Sequence, residues 1–250
     1  KDQPFFLYLP HFAVHKPFDA TEKYLSRFDK EDFKDERRYA YAGMLTAMDA
    51  GVGLLLDTLR KYGLEENTLI FFLSDNGGTD GVGNNLPLRG KKGSTWDGGI
   101  RTPFLVQWKG KLAAGNVFDG LISSMDILPT SVAAAGGTVS KDWDLDGVDI
   151  LPYLMGDRTG DPHDVLYWRF GTQWAVRKGE WKLIVAREKR GGSIQIATHV
   201  GPARLFNLDE DISEMNDVSS QYPEIAQQLK VLWEEWNATL PEPSWTPIVE

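Results

Sequence analysis

The chain has 250 residues, 42% hydrophobic and 12% aromatic, enough apolar mass for a sizeable core, which excludes an intrinsically disordered polypeptide. Its formal charge of -9 argues against a nucleic-acid partner, because such binding rests on basic patches that neutralise phosphates. The absence of cysteine excludes disulfides and thiolate metal sites while leaving the redox compartment undetermined, and no uninterrupted apolar run approaches the roughly 18 residues that cross a bilayer.

In chain order, Pro4-Phe-Phe-Leu-Tyr-Leu-Pro-His-Phe-Ala-Val-His-Lys-Pro17 predicts an apolar strand from Phe5 to Leu9 that ends in two histidines. Pro10 and Pro17 bracket His11 and His15, which favours a loop over a helical metal site. Either imidazole can donate to an anionic oxygen or transfer a proton near neutral pH. From about Glu36 to Tyr62, Tyr41, Leu45, Met48, Val52, Leu55, Leu56 and Leu59 recur at spacings of three and four, the stripe of a helix covering a sheet face, and Gly63 suits its C′ position. Asp49, beside that stripe, is read as a structural hydrogen-bonding residue.

The run Thr68-Leu-Ile-Phe-Phe-Leu-Ser-Asp-Asn-Gly-Gly78 follows. Leu69 to Ser74 has the pattern of a strand covered on both faces in a parallel sheet, and ligands collect outside the carboxyl ends of such strands. Asp75 and Asn76 therefore emerge as two hard oxygen donors suited to Ca²⁺ or Mg²⁺. An Asx turn ending a strand explains the same residues. In Leu88-Arg-Gly-Lys-Lys-Gly-Ser-Thr-Trp-Asp-Gly-Gly-Ile-Arg-Thr-Pro103, Arg89, Lys91, Lys92 and Arg101 oppose only Asp97. An ammonium about 4 Å from an anion is worth roughly 1 kcal/mol in water and about 4 kcal/mol at an effective dielectric near 20, so a recessed lysine here can dominate anion binding; a solvated basic loop is the competing reading.

Pro103 to Trp108 reads as another strand, and Ser124 to Ala135 as a helix stopped by Gly136-Gly137. The alternation implies α/β layers. A turn-rich stretch, Met155-Gly-Asp-Arg-Thr-Gly-Asp-Pro162, divides the chain near residue 160. Beyond it Val165–Phe170, Gln173–Arg177 and Glu180–Val185 read as antiparallel strands, and about Pro223 to Leu240 as a helix with Ile225, Leu229, Leu232, Trp233 and Trp236 on one face. The tryptophans follow the strand and helix spacing, which favours core packing over sugar stacking. Arg187-Glu-Lys-Arg190 reads as an exposed hairpin tip.

Together, in this order and spacing, these segments resemble the type I, formylglycine-dependent sulfatases, the arylsulfatases and carbohydrate sulfatases of the alkaline phosphatase superfamily. The resemblance rests on the His-containing loop, Asp49-Ala-Gly-Val-Gly53, the Asp75-Asn-Gly turn and the element from Lys91 through Pro103. Ser124-Met-Asp-Ile-Leu-Pro-Thr130, Asp146-Gly-Val-Asp149 and Leu205-Phe-Asn-Leu-Asp-Glu-Asp211 look like downstream landmarks. It implies hydrolysis of sulfate esters and the C-terminal half of an alkaline-phosphatase-like α/β sandwich. That half is a largely parallel sheet with helices over residues 1–160, followed by a small antiparallel sheet and C-terminal helix over 161–250. It implies further that Asp75 and Asn76 are ligands of Ca²⁺, with Mg²⁺ possible, and that Lys92 binds a sulfate oxygen, Lys91 being the alternative register. His15 matches the histidine that contacts the sulfate or bridging oxygen, and His11 matches no assigned residue. Asp97 and Arg101 are expected to fix the loop by pairing with each other. Asp75, Lys92 and His15 are expected to converge on one tetrahedral guest.

The chain departs from that family in lacking any Cys- or Ser-x-Pro-x-Arg element, the Asp-Asp pair before it and the Lys-x-His pair after it. It is expected to be the C-terminal portion of a longer polypeptide, inactive by itself, with the N-terminal half of the same protein as partner and bearer of the formylglycine. A halved sheet exposes strand edges, so self-association or strand exchange is expected. The resemblance implies a periplasmic or secreted protein acting on a sulfated small molecule or carbohydrate, with no nucleic acid and no membrane span. A phosphatase or phosphonate hydrolase of the same superfamily, and a non-catalytic domain binding sulfated glycans, are the alternatives.

Overall fold

A computed structural model describes residues 3–79, 81–186 and 200–241. The chain forms two compact units: one takes in the chain up to Ile70 with short segments ending at Gly83 and Ala114, the other Phe71–Thr79, Asn84–Val106 and the chain from Gly115 onward.

In the first unit, α1 (Glu22–Leu25) precedes the long α2 (Glu36–Lys61). Asp35 caps α2 by accepting from the Arg38 amide at 3.0 Å, satisfying an otherwise orphaned donor. At the other end Gly63 takes φ +65°, its amide bonds to the Arg60 carbonyl and that of Leu64 to the Leu59 carbonyl, the paired closure that favours glycine at C′. Gly43 is needed because a Cβ there would lie 2.7 Å from Leu25 and 2.8 Å from Ala20, so α1 and its leading loop seat on α2. The predicted stripe is covered only in part: Met44 and Leu59 are buried, whereas Leu45 and Leu54 are exposed. By length and composition α2 is apolar enough to cross a membrane, contrary to the expectation that no segment is. Only 17% of that apolar window is buried, α1 and its leading loop covering the stretch around Gly43.

Phe5 to Leu9 does not form the predicted strand. It pairs with no strand among the described residues, and its five side chains are 49% to 77% exposed. A strand exists only where a neighbour accepts its backbone groups.

β1 (Leu69–Leu73) and β2 (Phe104–Trp108) form a two-stranded sheet, with Phe71 edge-on to Phe104. β1 is half-buried rather than covered on both faces, and in β2 Leu105 is exposed while Trp108 is buried. α4 (Ile127–Ala134), the short α3 (Asp97–Ile100) and α5 (Leu151–Leu154) complete the α/β part of the second unit. The landmarks around Asp126 and Asp149 prove structural: buried Asp126 accepts from the amides of Ser123 and Val148 and meets His163 Nε2 at 2.7 Å.

The remainder is a four-stranded antiparallel sheet in the order β3-β4-β5-β6, namely Leu166–Phe170, Gln173–Lys178, Trp181–Val185 and Arg204–Asn207. Gly171 (φ +61°) and Gly179 (φ +54°) close the first two hairpins through two-residue turns. α6 (Pro223–Thr239) covers one face, where Leu229 and Trp233 pack on Val176, Leu183 and Leu205 and Trp233 stacks on Trp174 with centroids 4.4 Å apart. On the other face Trp96 packs with Ala175, Ile184 and Phe206. A loop of the α/β part is thus built into the sheet's core. Leu229, 3% exposed, anchors α6, and Leu229→Ala is expected to cost about 2–5 kcal/mol, read as a lower urea midpoint. β6 escaped the sequence reading because four residues are too few for a periodic signal. The Arg187-Glu-Lys-Arg190 segment lies outside the described residues.

Candidate active site

β1 delivers the chain into the turn Ser74-Asp-Asn-Gly-Gly78. Ser74 Oγ donates to the Asn76 carbonyl at 2.8 Å, and Asn76 Nδ2 donates to Asp75 Oδ1 at 2.9 Å. That last bond orients the amide, so its Oδ1 and the second Asp75 oxygen remain as hard donors, a set whose chemistry fits Ca²⁺ or Mg²⁺ as part of a coordination sphere. Among the described residues no group of three or more His, Asp or Glu gathers into a full metal cage.

The turn is locked to the loop 88–101 through main chain. The Gly77 amide donates to Gly99 O at 3.0 Å, and the Lys92 amide to Gly78 O at 3.1 Å. Asn85 bridges them, its Oδ1 accepting from the Gly78 amide and its Nδ2 donating to the carbonyls of Gly78 and Gly90. A Cβ on Gly77 would lie 1.8 Å from Gly98 O, one on Gly98 2.6 Å from the carbonyls of Arg89 and Gly90, and one on Gly99 2.3 Å from Ser94 O. The glycines allow two backbones to touch; they do not merely clear space for an ion.

Within the second unit, therefore, the structure joins Asp75 and Asn76 to Lys92. Among the described residues the Lys92 side chain enters no hydrogen bond or ion pair, whereas Lys91 does hold an interaction. His11 and His15 belong to the first unit, and both are exposed. His15 Nδ1 lies 2.8 Å from the Lys16 carbonyl. A carbonyl only accepts, so Nδ1 carries the proton and Nε2 is the nitrogen left to exchange one. Asp49 is exposed on α2.

Beneath the loop lies an ionic cluster. Lys182 of β5 is fully buried, its Nζ 2.5 Å from Asp97 Oδ1 and 2.7 Å from Glu214 Oε1. Glu214 Oε2 accepts from the Asp97 amide at 2.8 Å. Arg89 Nη1 donates to the Glu214 carbonyl at 2.6 Å, with its guanidinium 3.9 Å from the Trp96 ring centre. Arg101, the partner expected for Asp97, reaches only 3.7 Å from Oδ2, a charge contact too long for a hydrogen bond; the principal partner is Lys182. Burial pushes the Glu214 carboxyl above its usual range, with Lys182 pulling it down and Asp97 pushing it up. Lys182 was missed although a signal existed: it shares a strand face with Ile184, the face on which Trp96 packs, and a lysine in an inward register demands a buried partner. Nothing in the local sequence marks Glu214. The cavity of about 600 Å³ beside Trp181, Gln228 and Leu232 includes none of these residues.

Residues 1–137 match the family profile described as Sulfatase, and residues 91–239 that described as N-sulphoglucosamine sulphohydrolase, C-terminal. The chain is similar to the uncharacterized sulfatase YdeN of Escherichia coli, 42% identical over 67% of this chain and 30% of that protein. To mouse arylsulfatase J it is 30% identical over 95% of this chain and 46% of that protein. It thus spans less than half the length of these curated relatives. Among solved structures it resembles Ps i-CgsB in complex with k-i-k-neocarrahexaose, with a TM-score of 0.86 and 36% identity, covering 100% of this chain and 53% of that one.

Proposed function

The chain belongs to the sulfatase family, and from that premise we propose that it is the segment of a sulfate ester hydrolase that supplies an anion-binding lysine and half of a divalent-metal site. The observation that carries this reading is the main-chain lock between the Asp75-Asn76 turn and the Lys92 loop, which ties the backbone bearing two oxygen donors to the backbone bearing Lys92. When bound, Ca²⁺ or Mg²⁺ would supply Lewis-acid polarisation of the sulfate oxygens. Lys92 binds a sulfate oxygen and stabilises the charge that grows there as the S–O bond to the leaving alcohol breaks. His15, as imidazolium, gives its Nε2 proton to that departing oxygen. The nucleophile, a formylglycine in this family, is assigned to the rest of the polypeptide, since no Cys- or Ser-x-Pro-x-Arg element occurs here. Residues 1–160 would belong to the catalytic α/β domain and 161–250 to the sheet-and-helix subdomain of a periplasmic or secreted enzyme. The likeness to Ps i-CgsB in complex with k-i-k-neocarrahexaose favours a sulfated carbohydrate as substrate.

The test uses the full-length protein with a matured nucleophile, assayed against sulfate and phosphate esters of one alcohol. Turnover of the sulfate ester well above the phosphate ester is expected; the reverse preference identifies a phosphatase, and binding without turnover a lectin-like domain. The exposed apolar run Phe5–Leu9 supports a partner strand from the remaining half. Light scattering of this chain alone is accordingly expected to show association across micromolar concentrations, and a strict monomer counts against that pairing.

A further inference from the structure

We infer that Lys182, Glu214 and Gln173, all on the C-terminal sheet or the loop after it, are positioning residues that set where the Lys92 ammonium stands; the inference rests on the proposed role of Lys92. The arch from Arg89 to Asp97 is tied down at three points. At its start Arg89 Nη1 donates to the Glu214 carbonyl. At its crown Gln173 Nε2, on a residue 1% exposed, donates to Gly93 O at 3.1 Å, one residue past Lys92. At its end the Asp97 carboxylate takes Lys182 and its amide gives to Glu214. One buried residue, Glu214, therefore holds both feet of the arch.

Stability alone is a poor account of this cluster. Hydrophobic replacement of a buried ion group is often neutral or stabilising, whereas three charged or polar groups aimed at one loop hold it in a single place. The site-bearing turn meets the arch from the other side through Gly78 O and the Lys92 amide. The backbone that carries the ammonium is consequently held over the turn by residues that never touch sulfate.

In the full-length, matured protein, Glu214→Gln and Gln173→Ala, each alone and with Lys92→Ala, are assayed for kcat/KM on a sulfate ester and for inhibition by inorganic sulfate. Each single variant is expected to weaken both readouts by roughly tenfold to 100-fold, the scale of an ångström-sized misplacement. Neither is expected to add to the loss already caused by Lys92→Ala, which a general loss of folding would do. Lys182→Met repeats the test where it folds, and the two milder variants decide it where it does not. Unchanged sulfate inhibition in both milder variants, or losses that multiply with that of Lys92→Ala, overturns the inference while leaving the role of Lys92 standing. A Lys92→Ala protein of full activity overturns that role, and this inference with it.

Discussion

Lys92→Ala in the full-length, matured protein is expected to lower kcat/KM for a sulfate ester by about 10²–10³-fold, the range seen when one preorganised oxyanion partner is removed. The same size follows independently: about 4 kcal/mol for an ammonium near an anion at an effective dielectric of 20 is close to three decades of rate. Asp75→Ala is expected to be comparably severe, with part of its loss recovered by raising Ca²⁺ or Mg²⁺, because it removes a ligand and leaves Asn76. Lys91→Ala should matter much less, since Lys91 already has an interaction within the protein. Steady-state kinetics with a metal titration read all three. Unchanged turnover in both Lys92→Ala and Asp75→Ala would falsify the role assignment.

Gly77→Ala is expected to be nearly as damaging without removing any functional group. The added methyl would sit 1.8 Å from Gly98 O, and the obstacle is backbone, itself wedged against the carbonyls of Arg89 and Gly90. Neither side can rotate away. The turn must back off, breaking the Gly77 amide bond to Gly99 O, at a cost of about 1–3 kcal/mol or more for overpacking. A displacement of an ångström at the donors corresponds to about 100-fold in rate. Gly63→Ala serves as the contrast: it strains a left-handed residue far from any backbone neighbour, so it should lower the thermal midpoint while sparing kcat/KM in the surviving enzyme.

Periodic segments were legible in the sequence. α2, β2 to β5 and α6 appear within a residue or two of the expected bounds and α4 within three, because each carries a stripe or alternation that sets it off from the turns around it. The family resemblance also survives comparison. What failed was burial. Phe5 to Leu9 has the composition of a strand, but pairing is not a property of one segment, and no described strand accepts it. The site was legible as residue types but not as linkage. Asp75, Asn76 and Lys92 stand out as donors and cation, yet their coupling passes through Asn85 and carbonyls of glycines, which no spacing encodes. The expected Asp97–Arg101 ion pair is present at 3.7 Å, but the shorter contacts of Asp97 are to residues 85 and 117 positions away.

That last separation has a bearing on biosynthesis. A ribosome adding about 5–20 residues per second needs roughly 6–23 s after making Asp97 to reach Glu214, and the arch lacks its Glu214 ties throughout. Nascent chains halted before Gln173 carry every side chain of the proposed half-site and none of Gln173, Lys182 and Glu214.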